Sequence, residues 1–315
     1  MLNFKKKKYL VTFSSIIIIL IVFATLINAK SNQNTDESID KECDLEISNN
    51  ENSSIYEEPL ELFDKVISDL EELSGIATSK ENEDTIWAHN DSSSNGEIFA
   101  LDKEGNITMR VEINEFEDIE DMCIGNYNNK EYIFVGDFGD NSEEREDCII
   151  SMMEEPLLGE EISNESKDFT YVYSDGEAHN CESIGYTQYV SDGTIYLFTK
   201  EKNIKVFKLI VSDLDENEEN VAEYVGELEI EDFKKPSAAD ISRDGTYLII
   251  RDEKNIFKLS VDDPSNFDDI LTKDVISINC PEEPNGEAIT IDPNTKSLYT
   301  ASEEQPKVLY EIPLN

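Results

Sequence analysis

The sequence predicts an all-β fold made from one repeated four-stranded unit. Short apolar runs of strand length alternate with turns rich in Asp, Gly and Asn, and no long run with a helical period follows the N-terminal segment. The same order of strands and turns recurs five times. Each unit is roughly 50 residues long, which is the size of one β-propeller blade. The chain also ends one strand short, while a spare strand-like run precedes the first unit. These features together predict a β-propeller of five four-stranded blades.

The strands of each unit follow one another in a fixed order. The first strands open with an acidic or small residue near an isoleucine, and they are LSGIA (73–77), EDMCI (120–124), ESIGY (182–186), AADIS (238–242) and EAITI (287–291). The second strands, which follow the turns, are TIWAHND, YIFVGDFGD, TIYLFTKE, YLIIRDE and SLYTASEE. A third strand follows in every unit, and a fourth is visible in all units except the last.

The missing fourth strand of the last blade is predicted to come from the run LELFDKVI (60–67), before the first unit. Closing the ring in this way protects sheet edges that would otherwise pair with other molecules. A sixth blade is possible only if a long stretch between two units hides one. A β-sandwich is the structural alternative, although a sandwich does not explain the repeat.

Two segments precede the predicted propeller domain, which spans residues 56–315. A basic cluster at residues 5–8 is followed by an uncharged run from Tyr9 to Ala29, a pattern typical of an export signal. The run is long enough to span a bilayer, so residues 1–29 are predicted to be a signal peptide or a membrane anchor. Residues 30–55 are polar and acidic and predict a disordered linker. The domain is expected to be extracellular or at the cell surface, and any membrane contact is expected through residues 9–29 alone.

The charge of the chain restricts its partners. The 71 acidic and 26 basic residues give a formal net charge of −45, while the hydrophobic fraction of 38% is sufficient for a core. Nucleic-acid binding needs clusters of Lys and Arg, so the charge argues against it. An acidic surface favours bound cations, or it simply keeps the protein soluble. The expected partners are a cation, a glycan, a phosphorylated small molecule or an extracellular protein.

The unusual polar residues occur at two positions of the repeat. In an up-and-down blade, the loop entering strand one and the loop leaving strand two lie on the same face, because strand direction alternates at each turn. We therefore expect these residues to lie together around the central channel. Those entering strand one are Glu72, Ser74, Glu120, Asp121, Glu182, Asp240 and Glu287. Those leaving strand two are His89, Asn90, Asp91, Asp137, Asp140, Asn141, Lys200, Glu201, Arg251, Asp252, Glu303 and Glu304.

Three roles are predicted on this face. The segment DFGDN offers hard oxygen ligands beside glycines that let the backbone bend, so a Ca²⁺ cofactor is expected there, although the spacing is not that of an EF-hand. The predicted metal ligands are Asp137, Asp140 and Asn141. Crowded carboxylates raise one another's pKa, which suits acid–base catalysis. The predicted catalytic residues are Glu120, Asp121, Glu182 and His179. The predicted ligand-binding residues are His89, Asn90, Asp91, Lys200, Asp240, Arg251, Glu287 and Glu303.

Two alternatives for these residues stay open. The two histidines, His89 and His179, could hold a transition metal together with carboxylates. Taken singly, each acidic side chain is better explained as part of a solvated surface. The recurrence of the same placement in five units is what favours a functional site at the channel.

Several segments also carry a family resemblance. They are ELSGIA, IWAHNDS, FEDIEDMCIG, YIFVGDFGDN, YSDGEAHNCESI, AADISRDGTYLIIR and GEAI, in this order. They resemble a family of exported bacterial β-propellers, some of which carry the label "esterase-like activity of phytase". The resemblance covers residues 70–315 approximately and implies a propeller with an acidic face, but it implies little about a reaction. The family's usual NDSG and DWED read NDSS and DIED in this chain.

Three functions fit these observations. The first is an exported binding module that holds a metal or another ligand on its acidic face, because no complete catalytic constellation is visible. The alternative is a calcium-dependent hydrolase of phosphate or carboxylic esters, in which Lys200 and Arg251 hold an anionic group of the substrate. The third is a structural protein of the cell envelope whose acidic residues only solvate it.

Overall fold

The computed structural model describes residues 56–91, 96–114, 116–159 and 166–314. The predicted export segment, residues 1–29, and the predicted linker, residues 30–55, lie outside the described residues. The strands of the described domain are β1 Leu60–Lys65, β2 Leu73–Thr78, β3 Ile86–Asn90, β4 Glu97–Leu101, β5 Ile107–Glu112, β6 Ile119–Tyr127, β7 Lys130–Asp137, β8 Cys148–Glu154, β9 Lys167–Tyr173, β10 Cys181–Thr187, β11 Thr194–Thr199, β12 Ile204–Ile210, β13 Asn220–Leu228, β14 Ala238–Ile241, β15 Tyr247–Arg251, β16 Ile256–Ser260, β17 Val275–Ile278, β18 Gly286–Ile291, β19 Leu298–Ser302 and β20 Lys307–Ile312. Two 3₁₀ segments, Val211–Asp213 and Pro264–Thr272, follow β12 and β16.

The strands pair in chain order into up-and-down antiparallel sheets. β2–β5 and β14–β17 each form a separate four-stranded sheet. β6–β9 and β10–β13 form two further groups of four, which a parallel pairing between β9 and β13 joins into one eight-stranded sheet. β18–β20 form the last group, and β1 pairs antiparallel with β20 as its fourth strand.

The first strands of the groups contact one another in a cycle. β2 packs against β6, β6 against β10, β10 against β14, β14 against β18, and β18 against β2. All residues of β2 are buried, as are all those of β10, which agrees with strands at the centre of the domain. Apolar side chains fill the space between neighbouring sheets, as where Trp87 of β3 and Ile133 of β7 belong to one buried cluster. The predicted all-β fold is confirmed, and its architecture is propeller-like.

An irregularity recurs at the start of the first strands. In β6, Ile119 pairs with Asp137 and Asp121 with Gly136, so that Glu120 is an extra residue without a partner in the ladder. The same skip occurs at one residue of β10 and one of β18. β2 skips two residues, whereas β14 pairs without interruption. A β-bulge bends a strand and re-aims its side chains. The skipped residues of β6, β10 and β18 are all glutamates, namely Glu120, Glu182 and Glu287.

Among the described residues, no helix combines the length and the apolar character needed to cross a bilayer.

Candidate functional site

The bulges gather acidic side chains at one end of the first strands. We name the set formed by Asp91, Asp118, Glu120, Glu182 and Glu287 the acidic mouth. Asp91 follows β3 and Asp118 precedes β6, while the three glutamates are the bulge residues. The five are connected electrostatically, because the charges of Asp91, Asp118 or Glu182 raise the pKa of Asp118, Glu120 and Glu287.

The densest part of the acidic mouth lies between the first and second sheets. One carboxylate oxygen from each of Asp91, Asp118 and Glu120 can be chosen so that the three lie within 4.8 Å of one another. Gly139, which follows β7, lies directly against this group, and its amide donates to the carbonyl of Asp118 at 3.1 Å. A Cβ added at Gly139 would overlap carboxylate oxygens of Asp118 and Glu120. Glycine therefore leaves the space in which the three carboxylates converge.

The crowding changes the protonation of these groups. Burial, followed by the charge of Asp91, raises the pKa of Asp118 to about 7. Burial, and then the charge of Glu182, raises the pKa of Glu120 well above its usual range. Burial also raises the pKa of Glu287 to about 7, although Lys200 opposes that rise. Uncompensated carboxylates of this kind retain a proton near neutral pH, or they bind a cation instead.

This donor set fits a hard cation. Ca²⁺ takes oxygen ligands from carboxylates, carbonyls and water, and it tolerates irregular geometry. The three carboxylates of Asp91, Asp118 and Glu120 supply such oxygens from two chain segments. Within the described part of the chain, this is the one group of three or more His, Cys, Asp or Glu side chains close enough to share an ion.

A cavity of about 620 Å³ lies next to this group. Its lining includes Asp118, Gly139, Asp140, Asn141 and Arg145. The volume lies within the range typical of small-molecule sites, roughly 300–1,000 Å³. Asp118 is the member of the acidic mouth that lines this space, which is large enough for a ligand.

The predicted metal ligands of the segment DFGDN do not form a ligand set with one another. Asp137 accepts hydrogen bonds from the amide of Asp118 at 2.8 Å and from Arg145 Nη1 at 2.9 Å. Asp140 accepts from the amide of Arg145 at 2.7 Å, and its pKa is lowered by such hydrogen bonds despite partial burial. Asn141 is exposed, and its Oδ1 accepts from Asn180 at 3.3 Å. Backbone amides and the Arg145 guanidinium already bind the carboxylates of Asp137 and Asp140. The segment therefore forms part of the cavity wall and does not supply a set of metal ligands.

Two predicted site residues are structural acceptors inside the channel. Asp121 accepts from the amides of Met122, Ile184 and Ala239 at 2.8, 3.1 and 3.3 Å, and so connects β6 to β10 and β14. Its predicted catalytic role is therefore not supported by an accessible carboxylate, since the side chain is fully buried.

Asp240 has a comparable place in β14. Its Oδ2 accepts from the amide of Ile291 at 2.9 Å and from Thr290 Oγ1 at 3.0 Å, which connects β14 to β18. Burial raises the pKa of Asp240 to about 6. Asp240 was predicted to bind a ligand, but one of its carboxylate oxygens accepts hydrogen bonds from the neighbouring strand β18.

The two histidines occupy different surroundings. His89 is fully buried, its Nδ1 lies 2.9 Å from the carbonyl of Asn90, and burial lowers its pKa to about 4. His179 is also buried, and its two ring nitrogens lie 3.0 and 3.1 Å from carboxylate oxygens of Asp175 and Glu201. Neither histidine belongs to the converging carboxylate group, so the transition-metal alternative has no shared site among the described residues.

The remaining predicted ligand-binding residues divide into two kinds. Lys200 reaches the acidic mouth and forms an ion pair with Glu182 at 2.9 Å. Arg251 is completely buried, and its Nη1 pairs with Glu283 at 3.2 Å, so it cannot hold a substrate anion as predicted.

Asn90 and Glu303 lie at the rim of this face. Asn90 Nδ2 donates to the carbonyl of Asp69 at 2.9 Å, and its Oδ1 accepts from the amide of Glu72 at 3.2 Å, so it fastens the loop before β2. The carboxylate of Glu303 pairs with the amide side chain of Asn285, and burial raises its pKa.

The sequence prediction missed two residues of the site. Asp118 lies in the segment DIED, two positions before Glu120, and it could have been included because it belongs to the loop entering the first strand of its unit. Gly139 lies in the quoted segment DFGDN, but its contact with two carboxylates depends on the fold and has no local signal.

Comparisons with known proteins add little to this geometry. No family model matches the chain. No curated protein matches it either. Among solved structures, the chain is similar to the WD40 domain of Pan2 from Neurospora crassa, with 9% identity and a TM-score of 0.35. That match covers 79% of this chain and 65% of the Pan2 domain. A likeness at this level says nothing about what the chain binds.

Proposed function

We propose that this chain is an exported five-bladed β-propeller that binds a divalent cation, with Ca²⁺ as the expected ion, at the acidic mouth. The blade count is supported by the cyclic contacts of five first strands and by the pairing of β1 with β20, which closes the last blade. Export, to the cell surface or beyond, is supported by the basic and apolar N-terminal sequence.

One observation carries the binding proposal. The carboxylates of Asp91, Asp118 and Glu120 converge against a glycine, although their mutual repulsion is unfavourable in the absence of a cation. A protein surface can solvate acidic groups without bringing them together from two chain segments, one after β3 and one at the start of β6. A bound cation offsets the repulsion and provides the physical reason for the arrangement.

Calcium binding is tested by unfolding and by titration calorimetry. We expect CaCl₂ to raise the free energy of unfolding of the purified protein above its value in chelator, by about 2.7 kcal/mol at a hundredfold excess over Kd, and so to raise the unfolding midpoint. Asp118→Asn and Glu120→Gln should remove this rise. Asp192→Asn is the matched control, because Asp192 is an exposed residue in a hairpin turn. Equal midpoints in calcium and chelator at millimolar concentrations would refute the calcium proposal.

A hydrolase of phosphate or carboxylic esters is the second candidate. It is favoured by one observation, the cavity of about 620 Å³ that brings a ligand beside Asp118. Lys200 is the remaining candidate for contact with an anionic substrate group, because Arg251 is buried. A panel of phosphate and carboxyl esters, assayed with calcium, separates the two functions. Turnover that Asp118→Asn removes and Asp192→Asn retains supports the hydrolase.

A further inference from the structure

Lys200 provides the acidic mouth with a positive charge of its own. Its Nζ lies 2.9 Å from Glu182 Oε2, and its side chain is 29% exposed. The charges of Glu182, Glu287 and Glu120 all favour its ammonium form and raise its pKa, in opposition to burial. The lysine follows β11, whereas its partner is the bulge glutamate of the adjacent strand β10.

The ion pair leaves the acidic mouth unevenly neutralised. Glu182 has both oxygens engaged, because Asn180 Nδ2 donates to Oε1 at 3.0 Å and Lys200 pairs with Oε2. Glu120 is 6% exposed, and among the described residues its carboxylate accepts no hydrogen bond and forms no ion pair. Its Oε1 points toward Gly139, in the converging group. A buried carboxylate with no hydrogen-bond or ion-pair partner among the described residues, aimed into that group, is a sign of a cation ligand.

The other basic groups of this face are engaged with partners other than Glu120. Arg145 Nη1 is paired with Asp137 at 2.9 Å. Lys307 is almost completely buried, and its Nζ donates to the carbonyl of Glu71 at 3.0 Å. Lys200 is therefore the basic residue whose charge acts on Glu120.

We propose that Lys200 sets the affinity and the position of the cation. Its ammonium occupies the Glu182–Glu287 side of the acidic mouth, confines an exogenous divalent ion to the Asp91–Asp118–Glu120 side, and weakens the binding of that ion by repulsion. This inference rests on the proposed function. The inference adds that the cation binds off the channel axis, and that Lys200 keeps the affinity of the site for the cation below its maximum.

Two effects of opposite sign follow from this arrangement. Without an ion, Lys200 reduces repulsion among the carboxylates and stabilises the fold. With an ion, the lysine is a like charge near the binding position and opposes binding. A residue with a purely structural role would lower stability when replaced but would not tighten calcium binding.

The test measures calcium affinity and stability of the purified protein at pH 8. Lys200→Gln is expected to lower the Kd for Ca²⁺ about tenfold, equivalent to about 1.4 kcal/mol, and to lower the unfolding midpoint in chelator. Lys200→Met carries the same expectation if the glutamine variant does not fold. The control is Lys205→Gln, because Lys205 is 28% exposed and pairs with Asp175 at 3.7 Å, outside the acidic mouth.

A double variant separates charge from shape. Lys200→Gln combined with Glu182→Gln removes one positive and one negative charge, so its calcium affinity should return toward the wild-type value. An unchanged or weaker affinity of Lys200→Gln, while the wild type binds calcium, would overturn the inference and leave the proposed function standing. Absence of calcium binding in both proteins would overturn both proposals.

Discussion

The crowding at the acidic mouth predicts a gain in stability when one carboxylate is neutralised. Burial raises the pKa of Glu287 from 4.5 to about 7. A shift of this size corresponds to about 3 kcal/mol between the protonated and ionised forms, and the partial exposure of Glu287 reduces the expected effect to about 1–2 kcal/mol. Glu287→Gln should therefore stabilise the calcium-free protein by about 1–2 kcal/mol at pH 8.5.

The pH dependence of this gain has a definite sign. Because the folded pKa is raised, the stability contributed by the proton on Glu287 is complete below pH 4.5 and is lost as the pH rises through about 7. The advantage of Glu287→Gln should consequently be small at pH 5.5 and larger at pH 8.5.

Urea unfolding measures the effect. Trp87 is the only tryptophan and is fully buried, so its fluorescence reports unfolding of the domain. Glu282→Gln is the control, because this glutamate is exposed in the loop before β18. Destabilisation by Glu287→Gln at pH 8.5, or an equal gain at both pH values, would refute the electrostatic reasoning.

Two further substitutions test other parts of the structure. Gly139→Ala should abolish the calcium-induced rise in the unfolding midpoint, because the added methyl group overlaps oxygens of Asp118 and Glu120. A wild-type calcium affinity of this variant, measured by calorimetry, would show that the space left by Gly139 is not needed for binding. Glu283→Gln should destabilise the protein by about 3–5 kcal/mol in urea, because Arg251 loses its partner in an ion pair with no exposed atoms. A loss of stability below about 1 kcal/mol, as expected for an exposed ion pair, would show that the charge of Glu283 is not needed to compensate the buried charge of Arg251.

The strand order was predictable because it repeats. The run AADIS predicted the strand Ala238–Ile241, and LELFDKVI predicted the strand Leu60–Lys65 that pairs with β20. Alternation of apolar residues and turns is a local signal, and each repeat reinforces the same assignment. For this reason the all-β architecture follows from the sequence with little help from long-range contacts.

The role of each acidic residue was less predictable, because neighbours in sequence have opposite surroundings. Glu120 lies in the acidic mouth, whereas Asp121 accepts amides from three strands inside the channel. The segment DFGDN was interpreted as a metal loop, yet Asp137 is neutralised by Arg145. Composition shows that acidic groups are present, but only the fold shows which of them already have donors.

The bulges explain how a regular repeat builds an asymmetric site. A strand without a bulge alternates its side chains strictly, so an extra residue is needed to direct a carboxylate toward the end of the channel without disturbing the buried alternation that follows. β14 lacks this extra residue, and its acidic residue Asp240 is held by β18. β2 has a longer skip, but it contains Ser74 and Gly75 in place of a glutamate. The bulge glutamates are consequently confined to three of the five first strands, and the carboxylates that converge with Asp91 lie at the start of one of them, β6. The proposed ion is therefore expected beside β6 and not on the axis of the ring.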